Sequence, residues 1–414
     1  MAAEGLDLAG WLYLYILLKG NDILMKTYKH ILEENRAWAE ALFEQLEAKL
    51  SVMTIRSRDK IPNNIGPDGF HNSTTPSSWE SGFWGALNVL MFAYTGKEDY
   101  LLTARSVEAK QDEVFTDFEG MHHDVGFMWH ILSGALYRLT GDQQSKNRNL
   151  LAASTLASRF VLGGNFIRAW NDGNAKSWPG RTVNNWTIID CMMNLPILYW
   201  ASEVIGDDRF KRLAMAHADN TIACHIRPDG SVIHIVEHDR ETGEAIDTLG
   251  GQGYCVGSSW SRGQAWAIYG FTLSYLYTKE ERYLDAAKRV ANYFIASCAD
   301  DWLPRTDFRA PAEPVYYDTS AGTCAACGLL ELAKILPENE GGMYAHGAVQ
   351  LLRAISGKFL NLDPATDSLV SHGTQRYPLA ELSGKKKGHR MLIYGDFYLI
   401  EALTKLLGLE FRIW

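Results

Sequence analysis

The amino-acid sequence predicts an all-α fold, an (α/α)6 barrel of six helical hairpins, and three observations indicate it. An apolar stretch of helical length repeatedly ends in a short turn and is followed at once by a more polar helix. Gly96, Gly141 and Gly206 stand at such turns and suit the left-handed backbone that ends a helix. Acidic residues directly after the turns suit the positive end of the next helix.

The first member of each pair is predicted to lie in an inner ring, because it is apolar on nearly all sides. These inner helices are expected at 79–95, 124–140, 186–205, 260–278, 319–335 and 395–407. Their partners carry one polar face and are predicted to wrap the ring from outside. The outer helices are expected at 98–112, 144–161, 208–225, 281–298 and 343–360, with the first beginning near Met25.

The connections predict that the two ends of the barrel differ. Turns after inner helices are short, whereas segments before them are long and rich in Gly, Trp, Arg and His, notably 162–185 and 226–259. Within the second segment, SVIHIVEH (231–238) is expected to contribute a short β-hairpin. Because loops on a rigid scaffold commonly carry functional residues, the site is expected at this end.

Residues 25–414 are expected to form one barrel domain, and residues 1–24 form a leader of uncertain status. The leader segment 8–18 is apolar but short, and acidic rather than basic residues precede it. It therefore indicates neither a signal peptide nor a membrane span. We hypothesise that Met25 is the natural start.

Composition and charge limit the classes of partner. Hydrophobic residues make up 47% and charged residues 21%, which predicts a globular chain with a large core. The formal net charge of -9 argues against nucleic-acid binding, which needs a basic face to neutralise phosphates. The six cysteines lack the spacing of a disulfide scaffold and predict free thiols in a reducing, cytoplasmic compartment. Cys324 and Cys327 form a lone CxxC without a second ligand pair, so no metal site is expected.

Polar residues cluster at the predicted starts of the inner helices, where one mouth of the barrel should lie. The motifs that carry them are WESGFW (79–84), HHDVGF (122–127), WTIIDCMMNLP (186–196), WSRGQAW (260–266), DTSAGTCAACG (318–328) and GDFYLIEAL (395–403). A purely structural interpretation exists for several of them. Asp124 and Asp318 could cap helices, and the aromatic residues could fill the barrel axis.

Asp190 is the residue that this structural interpretation explains least well. It lies inside an apolar run, where capping is implausible, with Asn194 one helical turn further on. Burial in apolar surroundings raises the pKa of a carboxyl and favours the protonated form that a general acid needs. Asp124 offers a second carboxylate for an acid/base pair. The alternative is a buried Asp190 that is satisfied by backbone groups and Asn194.

These motifs, together with SVIH, GGQG and YGDFYLIEAL, resemble the unsaturated glucuronyl hydrolases, glycoside hydrolase family 88. The resemblance spans roughly residues 75 to 410, in order. The unsaturated rhamnogalacturonyl hydrolases of family 105 are related, but HHDVGF and IIDCMMNLP are closer to family 88.

The resemblance implies a role for each matching residue. Asp190 of IIDC corresponds to the acid/base, and Asp124 of HHDVG to an essential second carboxylate. Trp170 would stack on the sugar and Arg262 would help to hold its carboxylate. The implied substrate-binding residues are His123, Trp170, His234, Gln252, Trp260, Arg262 and Trp266.

The resemblance also implies a reaction and a substrate. Asp190 would protonate C4 of the C4=C5 bond in a terminal unsaturated uronic acid, water would add at C5, and the hemiketal would open to release the aglycone. No metal or cofactor is implied. The expected partner is an unsaturated uronyl oligosaccharide from hyaluronan, chondroitin, heparin or gellan, with pectin fragments as the alternative. The protein is expected to be a monomer or a homodimer, with no membrane partner.

The segment LSGKKKGHR (382–390) bears on the aglycone. It brings Lys385 and Lys387 just before the last inner helix, at the expected site end of an otherwise acidic protein. It is either a solvated basic loop or a clamp for a sulfated sugar.

Two other classes of function remain open from the sequence. A sugar epimerase on the same toroid would use paired histidines, for which His122, His123, His130 and His234 are candidates. A non-catalytic carbohydrate-binding toroid would keep the aromatic residues but would not need Asp190.

Overall fold

The computed structural model describes residues 26–171, 181–378 and 388–414, in which twelve helices build the barrel. The outer helices are α1 Tyr28–Arg56, α3 Glu98–Gln111, α5 Gln143–Ala157, α7 Arg209–His225, α9 Glu281–Cys298 and α11 Glu338–Phe359. The inner helices are α2 Ser81–Thr95, α4 Gly126–Gly134 with Ala135–Thr140, α6 Pro196–Ile205, α8 Ser261–Thr278, α10 Thr319–Ile335 and α12 Ile393–Leu406. The predicted alternation of inner and outer helices is confirmed.

The inner helices form a closed ring in chain order. Each contacts the next, from α2 through α4, α6, α8 and α10 to α12, and α12 packs against α2. Burial follows the prediction, because α8 is buried on all sides from Ser261 to Ser274. Outer helix α9 instead buries one face, with residues such as Tyr283, Ala287 and Phe294 at helical spacing.

Three of the hairpin turns end their inner helix as the sequence predicts. Gly96, Gly141 and Gly206 have φ of 71°, 73° and 69°, and each donates its backbone N–H to the last turn of its helix. A side chain is strained at such positive φ, whereas glycine is not. In the second hairpin, Asp142 then accepts hydrogen bonds from Gln144 N and Ser145 N and caps α5.

Aromatic side chains from several inner helices fill the axis, as predicted. Phe83 of α2 lies 5.4 Å from Phe127 of α4, whose ring centroid is 5.1 Å from that of Trp266 of α8. Trp266 contacts Tyr398 of α12 at 5.7 Å, and Tyr398 stacks on Trp414. The axis of the barrel is therefore a packed core and not an open channel.

Short strands cover the mouth. Strands β1 Phe160–Val161 and β2 Phe166–Ile167 pair with each other. Strands β3 Trp186–Ile188, β4 Ile235–His238 and β5 Ala245–Leu249 form an antiparallel sheet in that order. The predicted hairpin from SVIHIVEH is confirmed, and it recruits β3 as a third strand.

The predicted helix at 186–205 is wrong over its first ten residues. Trp186–Ile188 is strand β3, a 3-10 helix follows at Ile189–Met193, and α6 begins only at Pro196. Two physical causes explain the difference. Pairing with β4 supplies backbone hydrogen bonds that a helix would otherwise supply, and proline lacks an N–H, so it suits the first turn of a helix.

The other helix boundaries differ less. Helix α11 begins five residues before the predicted 343, α5 ends at Ala157 rather than 161, and α4 begins at Gly126 rather than 124. The leader 1–24 and the start at Met25 lie outside the described residues. No helix in the described part of the chain is both long and apolar enough to cross a membrane.

Candidate functional site

Asp190 lies in the 3-10 helix that links β3 to α6, at the mouth of the barrel. Backbone hydrogen bonds hold this segment against the strand that carries His234, because Ile189 N donates to His234 O at 3.1 Å. Behind it, the Thr187 hydroxyl lies 2.8 Å from Nε2 of both His225 and His238. Asp190 is thus positioned by a small sheet and a buried polar network rather than by an α-helix.

The carboxyl of Asp190 is held in its protonated form. Burial raises its pKa to about 8, and the charge of Asp124 adds to this effect, while Arg262 opposes it. Its side chain is 20% exposed, so the group is enclosed but reachable from the mouth. Among the described residues, no partner hydrogen-bonds Oδ1. The interpretation of a fully satisfied structural aspartate does not fit, because Asn194 donates to the backbone carbonyl of Asp190 and not to its carboxyl.

His234 faces Asp190 and is neutral. Its Nε2 is 3.7 Å from Asp190 Oδ1, and burial lowers its pKa to about 3. The backbone N–H of Gln252 donates to Nδ1 at 2.9 Å, which leaves the proton of the neutral ring on Nε2. We therefore assign the 3.3 Å approach of Nδ1 to Gly250 O as a contact and not as a hydrogen bond. His234 therefore presents an N–H donor toward Asp190 Oδ1.

The GGQG loop needs a glycine where it passes His234. Gly251 has φ of 62°, and a Cβ there would lie 2.1 Å from His234 Nδ1. The close approach lets Gln252 N reach the imidazole. The Gln252 side chain also donates from Nε2 to Gln375 O at 2.6 Å. The predicted residues His234 and Gln252 are thus brought together.

Asp124 lies directly before α4, whose first part, Gly126–Gly134, is π-helical. Its Oδ2 is 3.2 Å from His122 Nδ1 and 3.5 Å from His123 Nε2. Burial opposes ionisation of Asp124, but His123, His122 and Asn194 outweigh it and lower the pKa of the carboxyl. Burial lowers the pKa of His123 to about 4, so this ring is a neutral neighbour. At neutral pH the site holds an ionised Asp124 beside a protonated Asp190.

Asn194 links the Asp124 carboxylate to the backbone of Asp190. Its Nδ2 lies 3.4 Å from Asp124 Oδ1 and 3.2 Å from the backbone oxygen of Asp190, while its Oδ1 accepts from Phe127 N. One amide therefore fixes the 3-10 segment relative to the start of α4. Asp124 is not a side-chain cap, because its carboxylate faces imidazole and amide groups.

Arg262 is fully buried and engaged by protein groups. Its Nη1 forms an ion pair with Asp318 at 2.5 Å and also donates to Ser320 Oγ and Thr374 O. Its Nη2 donates to Gln375 O at 2.8 Å. Asp318 is thus the anionic partner of Arg262, not a side-chain cap for α10. The interactions of the guanidinium join α8, α10 and the 374–375 segment.

The three predicted tryptophans lie at different depths. Trp260 packs between His234, at 4.3 Å between ring centroids, and the guanidinium of Arg262, at 4.6 Å. Trp266 lies deeper, in the aromatic core of the axis, and forms part of the floor. Trp170 packs toward Trp186 at 6.2 Å and follows Ala169, whose carbonyl accepts from His123 N. Trp170 therefore lies against Trp186, and Trp260 lies against His234 and Arg262.

Sequence reasoning missed several residues of the mouth. Glu80 is buried, accepts from Ser78 Oγ, and has a pKa raised by burial and by the charge of Asp124. In the sequence, Glu80 could have been found as the acidic residue that directly precedes a mostly apolar helix in the motif WESGFW. Arg376 lies next to Gln375, and burial lowers its pKa. Nothing in the local sequence around Arg376 distinguishes it from an ordinary surface residue, and the sequence indicated Asn194 only as a partner of Asp190 and not of Asp124.

His122, His123 and Asp124 are the one group of three potential metal ligands in the described segments, with ligand atoms within 4.8 Å of one another. Their contacts with each other and with Asn194 account for their orientation without an ion. His130, a candidate for paired-histidine chemistry, is buried inside the barrel wall and contacts Asn149 at 3.1 Å. Lys385 and Lys387 lie outside the described residues.

The chain is similar in sequence to known proteins. No protein-family model matches the sequence. A curated relative from Bacillus sp. (strain GL1), an unsaturated glucuronyl hydrolase, is 35% identical over 353 residues, 84% of this chain and 91% of the relative.

Solved structures extend the likeness to the fold. The unsaturated glucuronyl hydrolase of Bacillus sp. GL1, responsible for the degradation of glycosaminoglycan, has a TM-score of 0.81 and 31% identity, covering 88% of this chain and 96% of that one. A mutant of the Streptococcus agalactiae enzyme complexed with dGlcA-GalNAc6S has a TM-score of 0.77 and 25% identity, covering 91% and 93%.

Proposed function

The chain belongs to the unsaturated glucuronyl hydrolases, a class of glycoside hydrolases, and from this we propose that it releases the unsaturated uronic acid from the non-reducing end of lyase-generated glycosaminoglycan disaccharides. The observation that carries the proposal is the state of Asp190. It is an acid whose pKa is raised to about 8, with an oxygen that no described group hydrogen-bonds, at the mouth of the barrel. An acid in this state can transfer a proton near neutral pH.

The proposed reaction is a hydration that ends in cleavage. Asp190 protonates C4 of the C4=C5 enol ether, and positive charge develops at C5 and the ring oxygen. The ionised Asp190 then takes a proton from water as the oxygen of that water bonds to C5. The resulting hemiketal opens by breaking the bond from C5 to the ring oxygen, which leaves a ketone at C5. The hemiacetal at C1 collapses and releases the aglycone.

The neighbours of Asp190 fit this cycle. Asp124 is ionised, helps to keep the pKa of Asp190 high, and offers acceptor oxygens to sugar hydroxyls. The charge of Asp124 also favours the positive charge that develops at C5. His234 presents Nε2–H beside Asp190, and Gln252 fixes that tautomer. No metal ion, cofactor or protein nucleophile takes part in the proposed steps.

A panel of lyase-made disaccharides tests the function. Unsaturated disaccharides from chondroitin, hyaluronan, heparin and gellan, and a rhamnogalacturonan fragment, are each incubated with the enzyme while the double-bond absorbance is followed. Loss of absorbance with at least one glycosaminoglycan disaccharide, together with release of its amino sugar, is the expected result. Activity confined to the pectin fragment would contradict the proposed substrate class, and no activity on any substrate would contradict the function.

The pH profile should report the proton on Asp190. We expect kcat/KM to be high at neutral pH and to fall as the pH rises through about 8, because the acid is lost when Asp190 ionises. The lowered pKa of Asp124 places its protonation below the ordinary aspartate range, so it should add no limb near neutrality. Initial rates across a series of buffers measure the limb. A profile that instead rises through pH 8 would contradict a protonated Asp190.

The segment 382–390 carries the proposal for the aglycone. Arg390, at its end, pairs through backbone hydrogen bonds with Gly373, next to the stretch that binds Arg262 and Gln252. A relative binds dGlcA-GalNAc6S, a sulfated disaccharide. We extend the proposal to this chain: Lys385 and Lys387 clamp a sulfate on the amino sugar.

Replacing Lys385 and Lys387 by Ala should raise KM for a sulfated unsaturated disaccharide at least ~10-fold, about 1.4 kcal/mol, and spare the unsulfated one. The matched control is Lys29→Ala with Lys334→Ala, two exposed lysines at the turn end of the barrel. Equal effects on both substrates, or no effect, would make the segment a solvated basic loop.

The proposal also places the protein in the cytoplasm, which the six free cysteines support.

A further inference from the structure

A buried chain of hydrogen bonds joins two histidines through one threonine hydroxyl. Oγ1 of Thr187 lies 2.8 Å from Nε2 of His225 and 2.8 Å from Nε2 of His238. On the far side of the rings, Nδ1 of His225 is 2.8 Å from Ile233 O, and Nδ1 of His238 is 3.0 Å from Gly243 O. All three side chains are fully buried. The chain therefore runs from carbonyl to carbonyl through imidazole, hydroxyl and imidazole.

The number of hydrogen atoms in this chain decides its charge. A carbonyl oxygen only accepts hydrogen bonds, so Nδ1 of each histidine carries a hydrogen. In a neutral imidazole Nε2 is then bare and needs a hydrogen from the hydroxyl. Thr187 has one hydroxyl hydrogen and can donate it to only one ring. In the neutral chain, Oγ1 and the second Nε2 face each other at 2.8 Å without a hydrogen between them. One additional proton supplies the missing hydrogen.

Opposing effects act on this additional proton. Burial lowers the pKa of His225 to about 4 and also lowers that of His238, while the hydrogen bonds to Ile233 O and Gly243 O raise both. The ring of Phe166 stacks on His238 at 4.3 Å between centroids, and an aromatic face attracts a cation. Leaving a buried polar contact without its hydrogen also costs free energy. Because the hydroxyl can reorient, the two rings can share the charge.

The surrounding groups provide no carboxylate for either ring. The charged and titratable groups of the neighbouring elements are Arg227, His217, Glu237, Asp247 and Arg181. The two carboxylates pair with the guanidinium of Arg181. Arg227 opposes a charge on His225, and Nδ1 of His217 accepts from the backbone, which suits a neutral ring. Carbonyl oxygens and the hydroxyl, rather than a counterion, are therefore the groups that stabilise the shared proton.

The chain connects the elements that carry two residues of the site. Thr187 lies in β3, three residues before Asp190, and His225 ends α7. Ile233 N donates to His225 O at 2.8 Å, and Ile233 O accepts from the ring, so His225 binds the residue that precedes His234 twice. Burial, and among smaller effects the charge of His225, lowers the pKa of His234. A proton held on His225 therefore favours the neutral His234 that faces Asp190.

We propose that Thr187, His225 and His238 share one proton at neutral pH and act as positioning residues for Asp190 and His234. In this state every contact of the chain has its hydrogen, and β3, β4 and the end of α7 are held together. Removal of the hydroxyl disconnects the two rings from β3 and from each other. The effect on catalysis rests on the proposed function, whereas the shared proton can be observed without any substrate.

NMR of enzyme labelled with 15N in histidine tests for the proton. An imidazolium carries hydrogen on both ring nitrogens, whereas a neutral ring has one bare nitrogen with a different 15N shift. At pH 7 the wild-type signals of His225 and His238 should together amount to one imidazolium. Thr187→Val, which keeps the shape of the side chain, should make both rings neutral, and Thr187→Ser should keep the proton. The matched control is Thr272→Val, which removes a buried hydroxyl that bonds to Ile268 O in its own helix.

Kinetics on the same proteins test the positioning role. Thr187→Val should lower kcat by about 10-fold and change KM by less than about threefold, because a displaced acid slows the chemical step more than binding. Thr187→Ser should restore most of kcat, and Thr272→Val should keep it within about threefold.

The outcomes separate this inference from the proposed function. Two neutral rings in wild type at pH 7, or a proton that Thr187→Val retains, would overturn the shared proton. A proton lost in Thr187→Val with kcat unchanged would overturn the positioning role. If wild type turns over no substrate while the NMR difference is present, the proposed function fails and the shared proton stands. If Thr187→Val does not fold, the wild-type spectrum decides whether the proton is present, and kcat of Thr187→Ser below that of Thr272→Val would contradict the positioning role.

Discussion

Asp190→Asn is expected to lower kcat on an unsaturated disaccharide by about 1000-fold or more, because the amide cannot donate or accept the transferred proton. General acid–base catalysis alone contributes about 100- to 10,000-fold, and Asp190 serves both halves of the proposed cycle. Substrate binding should survive, because Asn has nearly the same shape as Asp. Initial rates and a fluorescence binding titration on the same protein measure the two effects separately.

The same substitution should leave the melting temperature at neutral pH unchanged or raise it. The pKa of Asp190 is about 8 in the folded protein and about 3.9 in an unfolded chain. A group with a higher pKa in the folded state loses its contribution to stability as the pH rises from the unfolded value through the folded value. At pH 7 most of this loss has occurred, and the Asp190→Asn variant avoids it because an amide does not ionise. Reduced activity therefore cannot be attributed to unfolding.

A second buried aspartate provides the matched control. Burial also raises the pKa of Asp396, to about 7, but its carboxylate is buried and accepts from Val370 N. Asn can keep that acceptor oxygen, and the substitution removes a buried ionisable carboxyl as Asp190→Asn does. Asp396→Asn should therefore retain activity within about threefold. If Asp190→Asn retained activity within tenfold of wild type, the assignment of Asp190 as the acid would be wrong.

The sequence predicted the barrel because its signals are local. Helical periodicity, an apolar surface on all sides and glycines such as Gly96 at the turns each depend on neighbours within a few residues. The position of Asp190 in an apolar run likewise indicated a raised pKa, and the structure supports this for the predicted reason, burial. Asp124 was predicted as the second carboxylate, and in the structure its histidine and amide neighbours lower its pKa.

The rest of the site depends on contacts between distant parts of the chain. The strand at 186–188 exists because β4 pairs with it, and no pattern within 186–205 shows that partner. Arg262 was expected to hold a substrate carboxylate, but its engagement by Asp318, 56 residues away, is visible only in the folded protein. The tautomer of His234 is set by Gln252 N, which is 18 residues away in the sequence.

The hydration route can be distinguished from direct cleavage at C1 by the stereochemistry at C4. In heavy water the proton on Asp190 exchanges with solvent, so the enzyme should deliver deuterium to one face of C4. Direct cleavage would release an enol that solvent converts to the same ketone. Solvent would add deuterium to either face of C4, so the product would be a mixture of the two configurations. As a control, product formed in ordinary water is kept in heavy water for the same time. The deuterium that it gains at C4 measures exchange next to the ketone.

NMR of the product at early times in heavy water is therefore the most direct test of the proposed mechanism. Protonation by Asp190 should place one deuterium at C4, in a single configuration, above the exchange background. Equal labelling of the two C4 positions, or no label at C4, would contradict protonation by Asp190.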